Sequence, residues 1–313
     1  TTEIYTLSLH DALPIFARSG HLTDLASLLV LATLWGGSYS FIKLGVETIP
    51  PITLIAARTL IAGALLFVII RLRGLTLPRD PVIWRRFLIQ ACLNSAVPFT
   101  LIAWAETSVD AGLAAILNAG SPIFAFLISL LLFRSEAAAG RKLFGVAAGM
   151  LGVCLIIGVE ALSGFGRELW AQLALVAAAA CYGGAALFGR NFKGLDPIMP
   201  ACGSLICGAV ILIPFSLIFD RPWTLSPSSE SIQALLALSV FSTALAFTLY
   251  FRLIDRIGTV GTISVAYLRV PAGVAIGVLF LGERLSPTAW AGLALVIVGV
   301  CAMTLPGRKP KGG

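Results

Sequence analysis

The sequence predicts an all-α integral membrane protein: ten transmembrane helices arranged as two inverted five-helix repeats. Three observations predict it. Apolar runs of about 20 residues, the length that crosses a bilayer, recur along the chain. Basic residues gather in alternate connections, and the second half repeats the first. The composition sets the frame, because 58% of the 313 residues are hydrophobic and 12% charged, against about 45–50% and 25% in soluble domains. Mean hydropathy is +0.97. A single water-soluble core would have to outgrow the roughly 250–300 residues at which cores stop growing. Lipid is therefore the solvent for much of the chain, and a water-soluble enzyme is excluded.

The N-terminal segment is set apart first. Residues 1–16, TTEIYTLSLHDALPIF, begin without Met and differ in texture from the remainder of the chain. They resemble translated sequencing-adapter sequence and are treated as non-native. They do not form a secretory signal, since His10, Asp11 and Pro14 interrupt any apolar run.

The ten apolar runs cover approximately 25–44, 52–70, 86–105, 111–133, 143–159, 169–189, 198–219, 232–251, 258–281 and 288–305. Proline-rich turns separate them at Pro50-Pro51, Pro78 to Pro81, Asp196-Pro197, Arg221-Pro222 and Ser226-Pro227. Continuous apolar runs argue against a β-barrel, whose strands alternate. The chain then divides into a first repeat over 25–159, a second over 169–305, and a basic tail over 306–313.

Charge orients the bundle. The termini and the connections after runs 2, 4, 6 and 8 hold sixteen basic residues, the opposite connections hold four, and Arg58 and Arg269 lie inside runs, which accounts for all 22. The positive-inside rule places both termini in the cytoplasm. The net charge of +7 is thus an orientation signal and not a nucleic-acid footprint. Its tightest cluster, Arg308 to Lys311, serves as an anchor to membrane lipid.

The repeat is read by pairing residues roughly 147 positions apart. Trp35-Gly36-Gly37 with Phe41 and Lys43 meets Tyr182-Gly183-Gly184 with Phe188 and Arg190. Pro50 meets Pro197, Ser95 meets Ser242, Pro122 meets Pro271, and Glu136 meets Glu283. Gly145, Gly152, Val153 and Cys154 meet Gly292, Gly299, Val300 and Cys301. Five runs per half is an odd number, so the second half enters the membrane upside down, an arrangement that places a binding site at the interface of the halves.

These features resemble the drug/metabolite transporter superfamily, EamA-like branch, over approximately residues 25–305. The resemblance rests on the duplicated five-helix unit, Trp35-Gly36-Gly37, Arg58 in Ala56-Ala57-Arg58, and Leu279-Phe280-Leu281-Gly282-Glu283-Arg284-Leu285-Ser286. It implies an inner-membrane secondary transporter that exports small metabolites or amino acids by alternating access. The chain departs from the family pattern at Phe133-Arg134-Ser135-Glu136, where Gly-Glu-Arg is expected, and at Arg269, where an apolar residue is usual.

Charges inside the runs carry the candidate chemistry, since a central charge costs about 2.5–3.5 kcal/mol on insertion scales. Arg58 and Arg269 lie roughly 9 and 16 Å deep at 1.5 Å per residue. Arg269 either binds a substrate carboxylate or caps carbonyls freed by Pro271; Arg58 is read as structural or gating. Pro98, Pro122 and Pro271 break helices and either line a path or improve packing. Trp35, Tyr39, Asn94, Trp104, Asn118, Tyr182, Thr243, Tyr250 and Tyr267 are cavity candidates, about half of them expected to be packing or interfacial groups.

None of the 15 acidic residues falls at mid-run, and Glu106, at the outer end of run 3, comes nearest. Exchange or facilitated flux therefore fits better than a buried proton relay. The histidines, His10 and His21, both lie near the N-terminus, and no HExxH or Cys-His cluster accompanies them, so no metal is expected. No cofactor is expected either, because phosphate loop, dinucleotide fingerprint and Gly-x-Ser-x-Gly elbow are all missing. The six cysteines sit in apolar runs as small hydrophobes. Gly145 to Gly149 forms GxxxG, which packs helices within a subunit or across a homodimer. An intramembrane enzyme or lipid-handling protein is the alternative. It would need a nucleophile, acid and base that the runs do not supply.

Overall fold

The structure, a computed structural model, describes residues 19–133, 140–157, 167–250, 252–253, 256 and 265–304. Residues 1–16, Glu136 and the basic tail lie outside them. The described residues are helical, with no strand among them. Among the described residues, seven helices are long and apolar enough to cross a membrane: α1 (Thr23–Gly45), α2 (Pro51–Leu72), α3 (Pro81–Ala105), α4 (Ala111–Leu131), α6 (Glu168–Phe192), α7 (Ile198–Asp220) and α8 (Ser229–Tyr250). The chain also forms α5 (Gly140–Ile157), α9 (Val265–Phe280) and α10 (Pro287–Thr304).

Local chemistry sets the ends. Asp80 accepts from Val82 N at 2.8 Å and Pro81 fills the first helical position, so α3 starts five residues before its apolar run. Ser228 accepts from Ser231 N at 3.1 Å and moves the start of α8 forward by three. A polar cap satisfies the orphan amides of a first turn, which hydropathy does not register. Gly74, Gly194 and Gly282 adopt φ of 72, 90 and 68° and turn the chain after α2, α6 and α9 without the penalty of a Cβ.

The main helix pairings are α5 with α10, α2 with α7, α3 with α6, α4 with α6, α1 with α9, α1 with α8, α3 with α7, α2 with α8 and α4 with α9. Every one joins residues before 160 to residues after 165. Small residues allow the closest approaches. A Cβ on Gly152 would lie 2.7 Å from the Gly292 carbonyl, and one on Gly299 would lie 2.5 Å from that of Gly145. The small-residue faces of α5 and α10 are thus used within one chain.

The burial pattern is that of a lipid-solvated bundle. Leu54, Ile55, Leu66, Ile70, Leu175 and Ile198 form a core with no exposure. Leu131, Leu279 and Phe280 project outward at 79, 77 and 80% exposure, a surface that water does not tolerate over large areas. Inside lie Arg58, Ser95, Glu106, Asn118, Ser242 and Thr243.

Candidate functional site

A cavity of about 970 Å³ runs into the bundle between the two halves. Its inner wall includes Trp35, Tyr39, Ile42, Arg58, Gln90, Asn94, Phe99, Ile102, Pro122, Tyr182, Ser242, Phe247, Tyr250 and Arg269. Two interruptions in the helices shape it. In α3, Pro98 lacks an amide proton and its ring displaces the carbonyl four residues earlier, and the preceding Cys92–Ala96 relaxes into a π-turn. In α8, Thr243 Oγ1 donates to the Leu238 carbonyl at 2.8 Å, inserting into the ladder of the π-turn Val240–Leu245.

That second π-turn braces Arg58. Its Nε donates to Thr243 Oγ1 at 3.0 Å, and its guanidinium carbon lies 3.8 Å from the centre of the Phe99 ring, a cation–π contact. Arg58 is 5% exposed, and this is its only hydrogen bond among the described residues. Arg269 also lines the cavity and makes no hydrogen bond or ion pair among the described residues. Both guanidiniums lie within electrostatic range of the Tyr39 and Tyr182 phenols, so these four side chains converge. Aromatic rings complete the wall, with Trp35 5.4 Å from Tyr250 and 6.1 Å from Phe247, and Phe99 6.4 Å from Tyr182.

The ends of the cavity differ. One reaches the exposed residues Arg190, in the last turn of α6, and Lys193, Gly194 and Pro197 beyond it. At the other, lining stops at Ile42 and Ile102, each 2% exposed, and polar contacts tie the connections together. Glu283 accepts from Ala111 N at 2.7 Å and Gly112 N at 2.8 Å, capping α4. Asp220 accepts from Thr53 N at 2.9 Å and Thr53 Oγ1 at 2.8 Å, capping α2. Ser231 Oγ donates to the Leu44 carbonyl at 2.8 Å, and Ser228 N to Thr48 Oγ1 at 3.0 Å. Lys43 Nζ donates to the carbonyls of Glu106 and Val109, both at 2.8 Å. A carboxylate suits a helix N-terminus and an ammonium a C-terminus because each opposes the local dipole charge.

The sequence-derived residues are thereby placed. Arg269, Tyr39, Asn94, Tyr182, Arg58 and Pro122 line the cavity, as do Trp35 and Tyr250. Thr243 stands behind Arg58. Asn118 is fully buried, and neither its Oδ1 nor its Nδ2 has a hydrogen-bond partner among the described residues. Trp104 is 39% exposed on the outside, and Pro271 is also exposed. Pro98 is buried and acts through its π-turn. Glu106 is fully buried in the closed end, and neither carboxylate oxygen has a hydrogen-bond partner among the described residues. The side chain of Tyr267 lies outside the described residues. Sequence reading missed Gln90 as a wall residue and the capping duties of Glu283, Asp220 and Lys43; the charged types facing helix ends were the available signal. Cys92, Cys181, Cys202 and Cys207 are free thiols, while the side chains of Cys154 and Cys301 are outside the described residues.

The model of the EamA-like transporter family matches twice, over residues 24–158 and 169–305. The chain is 28% identical over 282 residues to the uncharacterized inner membrane transporter YedA of Escherichia coli K12, covering 89% of this chain and 90% of that one. It is 26% identical over 286 residues to the uncharacterized transporter YoaV of Bacillus subtilis, covering 91 and 97%. It is 30% identical over 239 residues to protein PagO of Salmonella typhimurium, covering 74 and 76%. A solved crystal structure superposes with a TM-score of 0.60 at 19% identity, covering 92% of this chain and 98% of that one, which shows a shared fold. With both halves matched and a multi-pass helical bundle enclosing a cavity, the chain belongs to the EamA-like transporter family, a family of membrane transporters.

Proposed function

We propose that the protein is a secondary carrier that exports small metabolites or amino acids across the bacterial inner membrane by alternating access. The single observation that carries this reading is the cavity walled by both halves, open to exposed residues at one end and capped by polar contacts at the other. A carrier needs a site reachable from one side at a time.

The inverted ten-helix arrangement belongs to the same proposal. Exchanging α1 with α6, α2 with α7, α3 with α8, α4 with α9 and α5 with α10 converts the observed set of main pairings into itself. The two family matches support it as well. The open end carries Arg190 and Lys193 and lies beside Arg86, whose Nη1 donates to the Asn191 carbonyl at 3.0 Å. The positive-inside rule makes that end cytoplasmic, with both termini on that side, so this conformation loads from within. Coupling by exchange or facilitated flux is part of the reading, since the described wall holds no carboxylate. The α5 and α10 glycine contacts are made within one chain.

The test is reconstitution in liposomes with a panel of radiolabelled amino acids and metabolites. Saturable flux that Arg269→Ala alters without loss of folded protein supports the proposal. Absence of flux for the whole panel refutes it, and unchanged kinetics in the variant remove Arg269 from the site.

A further inference from the structure

The charge inventory of the cavity narrows its substrate class. Four cations contribute to the described wall, Arg58 and Arg269 at depth and Arg190 and Lys193 at the mouth, and no Asp or Glu joins them. The two deep guanidiniums retain unused donors, because among the described residues Arg58 donates only through Nε and Arg269 forms no hydrogen bond or ion pair. Glu106, which acts electrostatically on Arg58, is sealed in the closed end and does not line the cavity. A buried charge without a partner is unfavourable. An anion that accepts from both guanidiniums relieves that penalty, and a planar carboxylate matches their fork. The Trp35, Phe247 and Tyr250 rings offer an apolar surface to the remainder of such a molecule. An ammonium group would find only neutral acceptors among the described lining residues, in the field of two guanidiniums.

We infer that the cavity takes organic anions, carboxylates with an aromatic or similarly apolar body and no ammonium group. This rests on the transporter reading of the same cavity and selects against zwitterionic amino acids and amines.

The test measures binding to the full chain in lipid nanodiscs by isothermal titration calorimetry, with three probes of similar size: 3-phenylpropionate, phenylalanine and 3-phenylpropylamine. The acid is expected to bind at least about tenfold more tightly than either of the others, and Arg269→Gln to weaken the acid by about tenfold, a loss of one decade in Kd. Arg269→Gln is the deciding variant because Arg58 is also braced by Thr243 and Phe99; its monodispersity is checked by gel filtration. Equal or tighter binding of the amine or of phenylalanine overturns the inference, as does acid binding that is absent or unchanged in the variant. Flux of the same probes in liposomes separates the two readings. Acid bound but never moved refutes the carrier and leaves the anion site standing, whereas phenylalanine moved in preference to the acid refutes the anion site and leaves the carrier.

Discussion

Replacing Glu283 by Gln should open the end of the cavity that is closed here. The Glu283 carboxylate accepts two backbone amides at 2.7 and 2.8 Å, and it reaches them from the α9–α10 connection, across the boundary between the halves. Hydrogen bonds to a charged group contribute about 1.5–3 kcal/mol each, and a helix N-terminus adds about 0.3–1 kcal/mol for the negative charge. Glu283 is only partly buried, so water recovers part of this when the end opens. Gln also retains one acceptor. A net loss of about 2–3 kcal/mol from the closed state is the working figure, and it moves a two-state equilibrium by roughly 30- to 140-fold. The assay uses a single cysteine at Ile102, buried at the closed end, in a chain whose native cysteines are replaced. Its reaction with a membrane-impermeant maleimide, applied from the side that the proposed orientation makes extracellular, reports how often that end opens. Glu283→Gln should raise the labelling rate by one to two decades (about 10- to 100-fold on the same scale), while Arg284→Gln, at an exposed neighbour, should not. Equal rates in the parent and Glu283→Gln chains would show that the cap does not hold the end shut.

The remaining predictions concern the brace, the packing and the buried acid. Thr243→Val removes the acceptor of Arg58 Nε and should cost about 1–3 kcal/mol, read as a lower Tm in detergent; an unchanged Tm would mean that the Phe99 contact alone positions the guanidinium. Gly299→Leu places a side chain where a Cβ already meets the Gly145 carbonyl at 2.5 Å and Gly149 N at 2.7 Å, and overpacking of this kind costs about 1–3 kcal/mol or more; thermal unfolding should show it, and full retention of Tm would refute the tight α5–α10 contact. Burial drives the carboxyl of Glu106, in the 106–110 connection, well above the usual carboxylate range, opposed by Lys43 and Arg58 and reinforced by Glu283. The closed end therefore holds a proton that an opened, hydrated end releases, and closure weakens as pH rises through that raised value. Labelling at the Ile102 cysteine, normalised to an exposed reference cysteine, should increase with pH in the parent and stay flat in Glu106→Gln. An identical slope in both would assign the titration elsewhere.

The positions of the seven long apolar helices were legible because crossing a bilayer demands about 20 apolar residues wherever it happens; the turns that capping adds at Asp80 and Ser228 escaped the hydropathy pattern. Arg58 and Arg269 were legible for the same reason in reverse, a charge in an apolar run requiring a special environment. Which polar side chains face the cavity was not legible. Trp104 and Asn118 lie in runs as apolar as those that hold Asn94 and Tyr182, and the rotation of a helix about its axis is set by its neighbours. Along α3 even the regular 3.6-residue count fails, because the π-turn at Cys92–Ala96 shifts the face of every residue beyond it. Glu283 was visible as part of a motif, yet its partners are backbone amides of Ala111 and Gly112, and an amide leaves no mark in a sequence.

Lys43 and Arg190 mark the difference between the two ends of the cavity. They occupy matching positions in the proposed repeat, but Lys43 is fastened to two carbonyls at the end of α3 while Arg190 stands exposed at the cavity mouth. The same kind of residue therefore caps a helix on the closed side and is released on the open side. In the proposed carrier, contacts of this kind at the two ends are the ones that would be exchanged between this conformation and the opposite one. Interfaces of that kind switch between discrete packings, and a bound anion shifts the balance by the difference in its contacts with Arg58 and Arg269 in the two states.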